Sequence, residues 1–264
     1  MLISGGLDHD LLVWPFISNT PIGTLKGSPC ATLQIEAGPS PTQVLTLGAD
    51  SVVRLWDVRK MRLVQVINPT YGVGASEKNS DISVIGWTNG EGSNSQRPIS
   101  AICFDESDRA LVTGYQHLAK WRSGIVGSCG NPGEEREGMT WREAGAATTL
   151  VAYSPDFDVA VSAHQGSLLS VWRVATGELS ARMREAHGTS EISSLAIIPL
   201  EPRVLSGAHD GVIKLWNFTT GQCLKQFIAQ AHSAMAEVTD LVLLQLKSSR
   251  HVFSVGWSLS LIHI

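Results

Sequence analysis

Charge is scarce in this chain. Only 17% of its 264 residues are Asp, Glu, Lys or Arg, the net charge is −4, and no block of basic residues occurs. Nucleic-acid binders carry a basic patch or stripe, so nucleic acid is not expected as a partner. Cysteine is sparse as well. Cys30, Cys103, Cys129 and Cys223 are scattered, with no CxxC pair. This usage fits a reducing, intracellular compartment, and Cys103 is expected as a buried free thiol in an apolar strand. No run approaches 18 uncharged apolar residues, so no membrane span is expected. The opening MLISGGLD lacks the basic region and apolar core of a signal peptide. Also missing are a G-x-S-x-G elbow, a GxxxxGK[ST] loop and any histidine pair at H-x3-H or HExxH spacing. The expectation is a protein without enzymatic activity and without a cofactor. Hydrophobic content of 43% still allows a substantial core.

What is present is a repeat. It reads SGGLDHDLLVW at 4–14, TLGADSVVRLW at 46–56, SAHQGSLLSVW at 162–172 and SGAHDGVIKLW at 206–216. Each copy opens with Ser or Thr (Ser4, Thr46, Ser162, Ser206) and closes ten residues later with Trp (Trp14, Trp56, Trp172, Trp216). Asp8, Asp50 and Asp210 lie six before their Trp and mark tight turns. Weaker copies stand at 113–121 and 254–264, the last with Ser258 where Asp belongs and Ile264 where Trp belongs. Openers 42 to 67 residues apart predict radially repeated four-stranded sheets, an all-β propeller with about six blades visible. The whole of 1–264 reads as one such region.

A second column supports that register. Short apolar strands precede all openers but the first: CATLQI (30–35), ISAICF (99–104), ATTLVA (147–152), ISSLAI (192–197) and VTDLVL (238–243). Their small or polar second and third positions suit innermost strands around a channel. Their later positions are apolar on both faces, as in strands sandwiched between sheets. Outermost strands are expected at 61–67, 177–183 and 222–228, with 22–26 the first of that type. No blade buries both faces alone, so blades must stack. The one full polar set is His187, Ser206, Asp210 and Trp216. It is expected to be linked by hydrogen bonds, with loss of a member costing ~1–3 kcal/mol.

These residues resemble the WD40-repeat family over nearly the whole chain, although the Trp-Asp pair itself survives only at Trp56-Asp57. The usual Gly-His is Ala186-His187 and Ala231-His232 here, with Gly27-Ser28 early on. PISAICFDESDRALVTG (98–114), GVIKLWNFTTGQCLKQF (211–227) and VFSVGW (252–257) are similar to a narrower group. That group is the EF-hand-associated WD-repeat proteins typified by WD repeat-containing protein 49. The resemblance implies long proteins with two propellers and a ciliary setting. No EF-hand loop occurs here, so calcium binding does not carry over.

The chain opens inside a blade, before which no innermost strand stands, and closes without a final outermost strand. A fragment of a longer protein is therefore expected. The departure of SLSLIHI from the pattern raises the question of whether that end is native sequence. Asp8-His9-Asp10 has metal-ligand residue types, but its phase makes it a turn. Two insertions interrupt the repeat, at 70–98 and 123–141. The first holds an apolar core, ISVIGWT (82–88), readable as an extra strand or as an exposed anchor with Ile85 and Trp87 binding a partner. The second, with Trp141 and the acidic run 134–137, reads as a loop or a contact surface.

The reading is a protein–protein interaction scaffold, cytoplasmic and associated with cilium or flagellum, with axonemal proteins as partners and no membrane contact. The alternative is a peptide-binding adaptor, either a ubiquitin-ligase substrate receptor or a signalling adaptor. A propeller enzyme would need convergent carboxylates, histidines or a metal, and fold alone does not exclude it.

Overall fold

The computed structural model describes residues 1–68, 83–86, 99–105, 110–114, 117–122, 139–142, 147–228, 237–246, 249–256 and 260–263. Among the described residues every regular element is a β-strand. The chain forms two compact units, one of 1–115 with 121–138 and one of 116–120 with 139–264.

The first unit begins with an antiparallel sheet of β1 (Leu2–Gly5), β2 (Leu11–Trp14) and β3 (Gly23–Leu25). Next comes an up-and-down antiparallel run of β4 (Thr32–Ala37), β5 (Gln43–Gly48), β6 (Val53–Asp57) and β7 (Arg62–Asn68). A fifth strand, β8 (Ser83–Gly86), adds in parallel to β7, with Ile85 opposite Ile67. Of the segment 82–88, read as an extra strand or an exposed anchor, residues 83–86 form this strand, and Ile82, Trp87 and Thr88 lie outside the described residues. β9 (Ala101–Asp105) and β10 (Ala110–Gly114) form a hairpin.

In the second unit residues 117–120 of β11 (His117–Arg122) pair with β12 (Met139–Arg142). Two complete four-stranded meanders follow: β13 (Thr148–Ser154), β14 (Val159–His164), β15 (Leu168–Arg173) and β16 (Glu178–Met183), then β17 (Ile192–Ile198), β18 (Arg203–Ala208), β19 (Val212–Asn217) and β20 (Gln222–Ile228). The unit ends with β21 (Val238–Leu246), β22 (Ser249–Gly256) and β23 (Ser260–His263). Serial antiparallel meanders are the blade pattern of the all-β WD40 fold class.

Two details differ from the sequence reading. Residues 139–141, read as the end of an insertion, belong to β12. A four-residue strand leaves too little periodicity to be recognised. Cys103 is half-buried rather than buried.

The register explains the small residues of the first strands. β4, β13, β17 and β21 each carry a β-bulge, leaving Leu33, Thr149, Ser193 and Thr239 as the extra residue. The hydroxyls of Thr149, Ser193 and Thr239 donate to the carbonyls of Ala163, Gly207 and Val255 on the neighbouring strand. A second bulge recurs opposite the indole, where Trp56, Trp172 and Trp216 pair with Leu63, Leu179 and Cys223.

Packing follows the repeat. Val161, Leu169, Val171, Val204, Trp216 and Phe218 form one core between the two meanders of the second unit. Leu205, Ile213, Leu215, Val238, Leu241 and Val252 form the next. In the first unit Leu45, Leu47, Val53 and Leu55 pack with Ile99, Ile102 and Leu111. Gly207 shows how closely the sheets approach, because a Cβ there would lie 2.6 Å from a Val238 methyl.

Candidate functional site

In the four clear copies the hydroxyl that opens the copy is bound by the indole that closes it. Antiparallel pairing sets Ser4, Thr46, Ser162 and Ser206 close to Leu12, Arg54, Ser170 and Lys214, two residues before the Trp. The indole then reaches back. Trp14 Nε1 donates to Ser4 Oγ at 2.8 Å, Trp56 to Thr46 Oγ1 at 2.9 Å, Trp172 to Ser162 Oγ at 2.9 Å and Trp216 to Ser206 Oγ at 2.8 Å. Trp56 is fully buried. Burying an indole removes roughly 150–250 Å² of surface, worth at most about 4–6 kcal/mol.

What completes the network differs from sheet to sheet. In β17–β20 the buried His187 enters from the loop after β16. Its Nε2 lies 2.7 Å from Ser206 Oγ. Its Nδ1 faces Asp210 at 3.7 Å, beyond hydrogen-bond reach. With the carboxylate on that side, the proton belongs on Nδ1, and Ser206 donates to Nε2. Burial holds the His187 pKa below its usual value, Asp210 pulls it up and Lys214 pushes it down again. The His187 backbone N–H also donates to Ser167 Oγ at 2.6 Å, in the β14–β15 turn of the preceding sheet. Lys214 Nζ donates to the Ala186 carbonyl at 2.6 Å. One loop therefore ties two sheets together.

In β4–β7 the partner of the turn carboxylate is Arg54 of β6. Its guanidinium donates twice to Asp50, from Nη1 to Oδ1 at 3.0 Å and from Nη2 to Oδ2. Burial works to raise the Asp50 pKa. The Arg54 charge, the Cys30 thiol and the Val52 N–H outweigh it and hold the carboxyl below its ordinary 3.8.

In β13–β16, which lacks the turn Asp, the buried His164 of β14 supplies the imidazole. Its Nε2 is 2.8 Å from Ser162 Oγ and its Nδ1 is 3.3 Å from Thr148 Oγ1. In the first sheet Asp8 lies exposed in the β1–β2 turn, where His9 has φ +65°. Ile85 is on β8, and its side chain lies outside the described residues, as does Trp87.

The arrangement uses chemistry-bearing groups for support. The fixed spacing of the repeat marked Ser4, Thr46, Ser162, Ser206 and their tryptophans, but not His164, Arg54 or Lys214. Gln34 was missed too. Its side-chain amide accepts from Ile102 N–H at 3.0 Å and donates to Ile102 C=O at 2.8 Å, joining β4 to β9. The available signal was the basic residue four after Asp in two copies, and a His two after the opener in the copy that lacks Asp. Among the described residues no group of His, Cys, Asp and Glu is arranged to hold a metal.

Residues 178–217 match the family model "WD domain, G-beta repeat". That span runs from β16 to the end of β19, so the sequence repeat is offset from the sheet and includes the His187 loop. The chain is 21% identical over 266 residues to the WD repeat-containing protein on Y chromosome of Drosophila mojavensis, covering 97% of this chain and 19% of that protein. The Drosophila virilis protein of the same name is also 21% identical, with 20% of its length covered. Human Striatin-3 is 24% identical over 253 residues, covering 90% of this chain and 28% of Striatin-3. The chain thus spans about a fifth of the length of the curated fly relatives it matches. The family model over 178–217 and the fly WD-repeat proteins support a likeness of this chain to the WD40-repeat family.

Proposed function

We propose that this chain is a non-catalytic platform for protein–protein interaction, one propeller region of a longer scaffold. WD-repeat proteins generally act in this way. The observation that carries the reading is the use made of the polar side chains. Serines, threonines, aspartates and histidines of four sheets hold indoles, turns and loops in place. A rigid frame of that kind displays loops for binding. The proposal extends to a cytoplasmic and ciliary or flagellar setting with axonemal partners, which rests on the resemblance to the group of WD repeat-containing protein 49.

Proximity labelling with the 264-residue chain, read by mass spectrometry against an unrelated β-protein control, tests both levels. Reproducible enrichment of a defined protein set supports the scaffold, and tubulin with axonemal proteins in that set supports the ciliary setting. Enrichment no greater than the control contradicts the scaffold. Ubiquitin-ligase or signalling components in place of axonemal ones contradict the ciliary part.

A further inference from the structure

We propose that one end of the second unit, built from the turns 155–158 and 199–202, is a docking surface for a linear peptide with an apolar anchor flanked by lysine or arginine. The proposal rests on the scaffold reading and gives it a surface and a class of ligand.

Leu200 carries the argument. Its φ is +61°, a left-handed conformation that suits Gly, Asn or Asp and is strained for Leu. Its side chain is nevertheless 74% exposed. The other apolar non-glycine residue with positive φ among the described residues is Met61. Met61 packs against the core of Leu11, Val13 and Trp56, so burial offsets its strain. Among the described residues nothing gives Leu200 such compensation. A backbone strained to hold an apolar side chain in water is a reason to look for a ligand.

The surroundings are fixed rather than loose. Leu200 N–H donates to Asp156 Oδ2 at 3.0 Å, which joins the two turns. Phe218 N–H donates to the Pro202 carbonyl at 3.1 Å. Phe157, 40% exposed, stands edge-on to the buried Phe218, with centroids 5.5 Å apart. Phe157 and Leu200 thus stand on two adjoining, tethered turns. The charged residues on the two turns themselves are Asp156, Asp158 and Glu201, with Glu201 3.0 Å from Arg203. The turns are therefore negative. They select cationic residues beside the apolar anchor and disfavour acidic ones.

The test uses the 264-residue chain and three fluorescein-labelled nonapeptides, read by polarisation. One has a central Leu flanked by Lys and Arg, one has that Leu replaced by Ser, and one has the basic residues replaced by Glu. Saturable binding of the first alone is expected. Leu200→Asn should weaken it at least about tenfold while leaving Tm unchanged or raised, because Asn accepts a positive φ. Asp156→Asn keeps the acceptor for Leu200 N–H and should weaken the basic peptide through loss of charge. The proposal is overturned by no saturable binding, by equal binding of the acidic peptide, or by unchanged affinity in Leu200→Asn. A fall of several degrees in Tm for Leu200→Asn also overturns it, since Leu200 would then be packing. If these arms fail while proximity labelling still enriches a defined set, only the surface falls and the scaffold stands.

Discussion

The sheets β4–β7 and β17–β20 share an opener, a turn Asp and a closing Trp, yet different side chains complete the two networks. In β17–β20 a histidine arrives from the loop after the preceding sheet, and Lys214 braces that loop through the Ala186 carbonyl. In β4–β7 no histidine arrives, and Arg54, at the strand position equivalent to Lys214, contacts Asp50 directly. The first solution links two sheets. The second closes within one. A buried hydroxyl and a turn carboxylate need partners, but the physics does not prescribe which residue type supplies them or from which strand.

The largest effect should come from what the two sheets have in common. Trp56→Ala and Trp216→Ala should each cost about 3–5 kcal/mol in urea unfolding, through a lost indole and the cavity left behind. Trp14→Ala should cost less, because Trp14 is only half-buried. Equal losses at all three positions would contradict the burial argument.

The basic residues separate the sheets. Arg54→Met strips the buried cation from Asp50 and should cost about 2–3 kcal/mol, below the full penalty for breaking a buried pair because the Asp50 side chain is 30% exposed. Lys214→Met loses one hydrogen bond to a carbonyl and should cost about 1 kcal/mol. If the order were reversed, the Arg54 pair would not be what holds its sheet.

Acid should separate them further. His187 has a lowered pKa in the folded state, so the unfolded chain binds more protons just below the ordinary 6.5. Stability therefore declines as pH falls from about 6.5 towards the folded value. The Asp50 pKa is lowered as well, so its contribution is present above 3.8 and is lost only as pH falls through its folded value. The β17–β20 network should loosen in mild acid, the β4–β7 network only in strong acid. His187→Gln should flatten the profile just below pH 6.5 and leave the deeper acid limb intact. An unchanged profile in that variant would assign the mild-acid loss elsewhere.

The contrast also marks how far the sequence could be read. The ten-residue interval between opener and Trp is a consequence of two strands paired around a tight turn, so the column is legible in the sequence. The first strands were visible for a similar reason, since their apolar residues face sheets on both sides. His164 and Arg54 were not, because a fixed template asks for a His in the preceding loop and passes over a donor inside a strand. The bulges at Thr149, Ser193 and Thr239 left only small polar residues as a trace. β12 is too short to carry a period. Leu200 was silent, because its interest lies in a backbone angle and an exposure, neither of which is written in residue type.

The most direct test follows the indole N–H groups of Trp56, Trp172 and Trp216 by NMR hydrogen exchange, in the wild-type chain and in His187→Leu. The account predicts faster exchange at Trp216, whose acceptor Ser206 loses its imidazole, with Trp56 unchanged because its acceptor is Thr46 of its own sheet. Equal acceleration at Trp56 and Trp216, or no change at Trp216, would contradict the claim that the two sheets are held by different devices.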